Sequence, residues 1–193
     1  MTKSSLLAVI KFAMVWLGVV LPTLLFFILA VSSSADVVSK SPELGERIDS
    51  VRAVVIQLVP SIDFYRHARS TSFPEVAALT TTFAVFWVPV MTISILAVSI
   101  ADFKAMRGRH LESGTLKGSL LSVIFGPFLA IGSVYMFFAV PGDPSSAGGL
   151  TTHSRLGYSV MAIATIWVAT GLIGFFPVNV VNLLKDLGFI KGE

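Results

Sequence analysis

The chain has 193 residues, 54% of them hydrophobic and only 13% charged, with a formal net charge of +3 and no cysteine. A soluble domain carries about 25% charged residues, so there is too little charge here to cover a water-facing surface of this size. The small positive excess makes no case for nucleic-acid binding, and the missing cysteines exclude disulfides, thiolate metal sites and thiol–disulfide chemistry.

The first apolar run spans 12–31 and carries no charge. At 1.5 Å rise per residue it is ~30 Å long as a helix, the thickness of a bilayer's hydrocarbon core. Lys3 and Lys11 before it, and Ser33, Ser34 and Ala35 after it, imitate a signal peptide. The run is longer than a usual signal core, so it reads as a retained membrane anchor. Lys11 interrupts an apolar stretch that begins at Leu6. Its long stem lets the ammonium reach the headgroups, and Asp102 or Asp186 at the same face would suit it as an ion-pair partner.

The segment 32–75 is the largest piece between apolar runs. Ser41, Pro42 and Glu43 form a helix start: a capping hydroxyl, a preset φ and an acid in the first turn. Leu44, Ile48, Val51, Val55 and Leu58 then recur at three- and four-residue spacing, with Glu43, Glu46, Arg47, Asp49 and Arg52 between them. That pattern predicts an amphipathic helix over 42–59, ending before Pro60. Such a helix lies flat on the membrane or packs on the rim of a bundle.

Three more uncharged runs follow, at 76–100, 119–140 and 158–181. In lipid every backbone amide and carbonyl must be paired within its own segment or in a closed barrel. Runs of this length are about twice what a tilted barrel strand needs, so helices are predicted. The fold expectation is an all-α integral membrane protein: one membrane domain, a four-transmembrane-helix bundle with an amphipathic helix in its first, outer loop. Each run contains one proline, at Pro22, Pro89, Pro127 and Pro177, which membrane helices tolerate.

Orientation follows from Lys and Arg. Lys3, Lys104, Arg107, Arg109, Lys117, Lys185 and Lys191 fall on one side, in short segments. Lys40, Arg47, Arg52, Arg66, Arg69 and Arg155 are spread more thinly over the other. Both termini are therefore expected in the cytoplasm, in a multi-pass protein of a bacterial cytoplasmic membrane. The cluster Lys104, Arg107, Arg109 and Lys117 either sets this orientation or meets anionic headgroups.

Chemistry-bearing groups are scarce. No Asp, Glu or His lies within any of the four runs, which removes intramembrane proton relays, paired-histidine haem, HExxH zinc and Ser/His catalysis. His67, His110 and His153 fall one to a loop, at no spacing that suits a metal. No metal or cofactor is expected. The most interpretable feature inside the runs is small residues at spacing four: Gly118, Ser122, Gly126 and Ala130, and again Thr170 and Gly174, with Thr80 and Ala84 as a shorter pair. Such stripes let helix backbones approach closely, within a bundle or against a partner. Thr80, Thr81, Thr82, Thr92 and Ser94, and separately Asn179 and Asn182, would either line a polar path or bond back to their own helices.

These residues favour a non-enzymatic protein whose partners are the bilayer and another membrane protein or a second copy of itself. It would be an accessory subunit of a membrane complex, or an immunity protein against a membrane-inserting toxin. Immunity proteins of that kind resemble it in hydropathy and length alone. The alternative is a small transporter or binder of lipid or a neutral solute. A surface enzyme using His67 or His153 with Asp63, Glu75 or Asp143 is a third, weaker reading.

Overall fold

A computed structural model describes residues 3–58, 64, 71–102, 116–139 and 154–189, and every regular element among them is helical. The elements are α1 (Lys3–Val15), a π-helical segment (Trp16–Val20), α2 (Leu21–Ser32), α3 (Pro42–Leu58), α4 (Pro74–Ala101), α5 (Leu116–Ala139) and α6 (Arg155–Asp186). Three helical stretches are long and apolar enough to cross a membrane: Ser5–Ser32, Pro74–Ala101 and Arg155–Lys185. Within α5 the described apolar stretch is Val123–Ser133.

Each boundary has a local cause. Pro22 has no N–H to give the carbonyl of Gly18, and its ring would crowd that carbonyl. The ladder widens instead, with the Leu21 N–H reaching Trp16 O across a π-turn. Pro42 and Pro74 each open a helix, where a missing N–H costs nothing. Helix α6 begins at Arg155, ahead of its apolar run, because the Ser154 hydroxyl accepts the Gly157 N–H at 3.2 Å. Its far end closes with Gly188 at φ 78°. There the Phe189 N–H reaches Leu184 O and the Gly188 N–H reaches Lys185 O, a paired cap that only a glycine satisfies without strain.

The chain divides into two compact units. One comprises Pro22–Val88 and Val134–Ile166. Here most of the first half of α4 is enclosed: Val76, Ala77, Ala78, Thr80, Thr81, Thr82, Ala84 and Trp87 are all buried, while Phe86 is exposed. Buried helix faces must be apolar or internally satisfied, and these combine alanines with threonines. Phe26 of α2 packs on Phe83, Trp87 and Tyr158, with ring centroids at 6.4, 5.5 and 6.4 Å. Phe73 meets Tyr158 edge-on at 5.6 Å. Helix α3 packs on this unit through Ile48, Arg52 and Val55.

The other unit comprises Met1–Leu21, Pro89–Ser133 and Trp167–Glu193. Lys11 pairs with Asp102, and Gly18 abuts Ser94. As numbers rise along α1 they fall along α4, so these helices run antiparallel. Gly174 of α6 packs on Ile95 and Leu96 from another side of α4. Ser99, fully buried, donates to Gly174 O at 3.0 Å.

Candidate functional site

The predicted stripes divide sharply. At Gly174 an added Cβ would lie 2.6 Å from Ile95 Cγ2 and 3.3 Å from the Leu96 backbone N, so the glycine is what allows the approach. Thr170, one turn before it, is fully buried. On α5, Gly126 and Ala130 are buried, yet an added Cβ at Gly126 would meet nothing within 4 Å. Gly118 and Ser122 lie in the same helix, with their side chains outside the described residues. Among the described glycines, the one with the least room beside it is one the spacing did not mark. A Cβ on Gly18 would sit 1.9 Å from Ser94 Oγ and 2.6 Å from Ser94 Cβ. Its signal was indirect: a lone glycine four residues before a proline.

Helix α3 differs from the expected amphipathic face. Ile48 and Val55 are buried at 8% exposure, but Leu44, Val51 and Leu58 are exposed at 37%, 40% and 76%. Arg52, read with the polar face, is buried at 5%. Its Nε donates to Thr82 Oγ1 at 2.9 Å, and its Nη1 pairs with Asp49 at 3.0 Å. The guanidinium lies 5.8 Å from the Phe64 ring centroid. The buried stripe is thus Ile48–Arg52–Val55, rotated from the purely apolar one, because Thr82 and Asp49 give the guanidinium acceptors that offset its desolvation.

Three neighbouring hydroxyls of α4 bond back to their own helix. Thr80, Thr81 and Thr82 donate to the carbonyls of Val76, Ala77 and Ala78 at 2.8, 2.7 and 2.8 Å. With its proton so placed, Thr80 accepts from the Tyr158 hydroxyl at 3.0 Å. Ser99 and Ser159 likewise reach back to Leu96 O and Leu156 O. Among the described residues, the buried side-chain atoms without a hydrogen bond are Thr71 Oγ1, Trp87 Nε1, Asn182 Nδ2 and the second terminal nitrogen of Arg52, Nη2.

Polar contacts at the helix ends are ties between segments. Glu75 accepts from the backbone N–H groups of Val38 and Ser39 at 2.8 and 3.1 Å, and from the Ser39 hydroxyl. Arg155 donates to Ser33 O and lies 5.8 Å from the centroid of the Phe73 ring. Lys40 pairs with Asp36 at 2.9 Å, which holds the Asp36 carboxyl below its ordinary value. Of the two acids proposed for Lys11, Asp102 is the partner observed.

Lys104, Arg107 and Arg109 lie outside the described residues, and of Lys117 only the helical backbone is described. His67, His110 and His153, with Asp63 and Asp143, also lie outside them. Among the described residues no cluster of three His, Cys, Asp or Glu side chains could hold a metal ion. The chain matches no protein-family model, no curated protein and no solved structure.

Proposed function

We propose that the chain is a polytopic membrane protein that crosses the bilayer four times and acts through contacts with a protein partner, without catalytic machinery of its own. Three crossings correspond to the long apolar helices. The fourth is α5, whose 24 residues extend ~36 Å and cover all but the last residue of the uncharged run 119–140. The distribution of Lys and Arg places both termini on the cytoplasmic side of a bacterial inner membrane.

The observation that carries the partner reading is the state of α5. Ile124, Phe125, Phe128, Leu129 and Ile131 are exposed, and a Cβ added at Gly126 would meet nothing within 4 Å among the described residues. At Gly18 and Gly174, by contrast, a neighbouring helix lies against the glycine, while Gly171 of α6 is as open as Gly126. An apolar helix with open room beside a glycine suits another transmembrane helix, since close backbone approach is what drives association in lipid. An accessory subunit of a membrane complex and an immunity protein against an inserting toxin both fit this. Transport of a lipid or neutral solute is disfavoured, because the hydroxyls that would line a path bond to their own helices.

Purification in mild detergent, with mass spectrometry of what accompanies the chain, tests this. The expected result is one stoichiometric membrane-protein partner that is lost in Gly126→Ile while the variant remains folded. Recovery of the chain alone, as a monomer, in every mild detergent would contradict it.

A further inference from the structure

The apolar sector of α3 is wider than the face it buries. At 100° per residue, Ile48, Val55 and Arg52 occupy the sector turned to the protein. Leu44, Val51, Val54 and Leu58 fill the adjoining ~80° of the helix surface, and they are exposed at 37%, 40%, 57% and 76%. In their midst is Arg47, exposed and in no ion pair or hydrogen bond among the described residues. A continuous edge of four aliphatic side chains is unsuited to water, and the guanidinium within it, with no partner among the described residues, is free to meet an anion.

The position of α3 identifies what meets this edge. Arg52 reaches Thr82, about two turns inside α4 and ~12 Å from its first residue. Helix α3 therefore lies alongside the outer end of α4 rather than beyond it. On the next turn of the same α4 face, Phe86 is 51% exposed. The cover that α3 provides ends between Thr82 and Phe86, and whatever surrounds Phe86 extends to the edge of α3. On the membrane-spanning reading, on which this rests, that surrounding is lipid.

We propose that α3 is an interfacial helix, with Leu44, Val51, Val54 and Leu58 seated among the outermost acyl segments of the outer leaflet and Arg47 bound to a lipid phosphate. The guanidinium fork matches a phosphodiester's paired oxygens, and the apolar edge supplies burial of the kind that holds amphipathic helices in the interface. Glu43 and Glu46, both exposed, lie outside the edge, on the side facing water. Recognition is thus of the phosphate common to phospholipids, and a net anionic headgroup is not required.

The chain has no native cysteine, so single cysteines bearing a bimane fluorophore at Glu46, Val51, Phe86 and Ile93 report position directly. The protein is reconstituted in vesicles of phosphatidylcholine with and without bromine near the top of the acyl chains. Quenching at Val51 comparable to that of a bimane at Phe86, with none at Glu46, is expected. Adding Arg47→Glu should reduce the Val51 quenching and raise its access to a water-soluble quencher. Val51 open to the aqueous quencher and unaffected by bromine would overturn the proposal, as would Val51 shielded from both, the sign of a covering protein. Ile93, 65% exposed on α4, separates the two levels, read with bromine deeper in the chains. If it is quenched and Val51 is not, the interfacial helix fails alone; if Ile93 is not quenched, the membrane-spanning reading fails with it.

Discussion

Arg52 is where side-chain chemistry departs furthest from the hydrophobic pattern. A buried guanidinium is tolerable only while its acceptors remain, so the two sides of the contact respond differently to substitution. Thr82→Val keeps the shape but leaves Nε without its acceptor, and is expected to cost about 1–3 kcal/mol. Arg52→Met keeps the apolar stem and removes the charge, and should cost less, in line with the general behaviour of buried ion pairs. Thermal unfolding of the two variants in detergent checks the order. Asn182 makes the opposite case: it is 5% exposed and its Nδ2 donates to nothing among the described residues. Asn182→Leu should therefore raise stability by about 1–3 kcal/mol, unless the amide serves a partner, in which case the variant is stable and loses that partner. The same melting experiment, with a pull-down beside it, tells these apart. The sequence placed Asp49 and Arg52 three apart and Ile48 and Arg52 four apart, which is the spacing of an inward stripe. What it lacked was Thr82, thirty residues on, and the inward turn depends on that acceptor.

The helices themselves were legible because each depends on a local rule. Uncharged runs of sufficient length, Pro42 and Pro74 at first positions, and the acids behind them mark the elements without reference to any neighbour. Interhelical seams were less so, because a small residue signals permission to approach and says nothing of which helix arrives. Spacing four singled out α5, yet the described glycine with the least room is Gly18 on Ser94, beside the π-turn that Pro22 imposes. Gly18→Ala and Gly174→Ala are expected to destabilise by about 1–3 kcal/mol through overpacking. Gly126→Ala, whose added Cβ would meet nothing within 4 Å among the described residues, should leave the unfolding midpoint almost unmoved, since alanine is the better helix former. Chemical denaturation in a constant detergent gives the comparison. Equal losses at all three glycines would mean that α5 is packed as tightly as the rest.

At the scale of the molecule, the polar contacts serve to close the chain on itself. Glu75 holds the turn at Val38 and Ser39, and Arg155 holds the end of α2 through Ser33 O. Glu75→Gln removes the charge from three hydrogen bonds and is expected to cost about 1–2 kcal/mol, seen as faster protease cleavage between α2 and α3 with the helices otherwise intact. What remains after these ties is an exterior of exposed leucine, isoleucine, valine and phenylalanine along all the long helices. No water-soluble monomer presents such a surface without aggregating, whereas a bilayer is the natural solvent for it. The central claim is therefore four crossings, and the crossing that decides it is α5. Single cysteines at Ser50, Gly108, Ser146 and Gly192, treated with a membrane-impermeant maleimide, read the topology directly. The account predicts that Ser50 and Ser146 label in intact cells, while Gly108 and Gly192 label only after permeabilisation. Labelling of Ser146 from the same side as Gly108 would mean that α5 does not cross, and would contradict it.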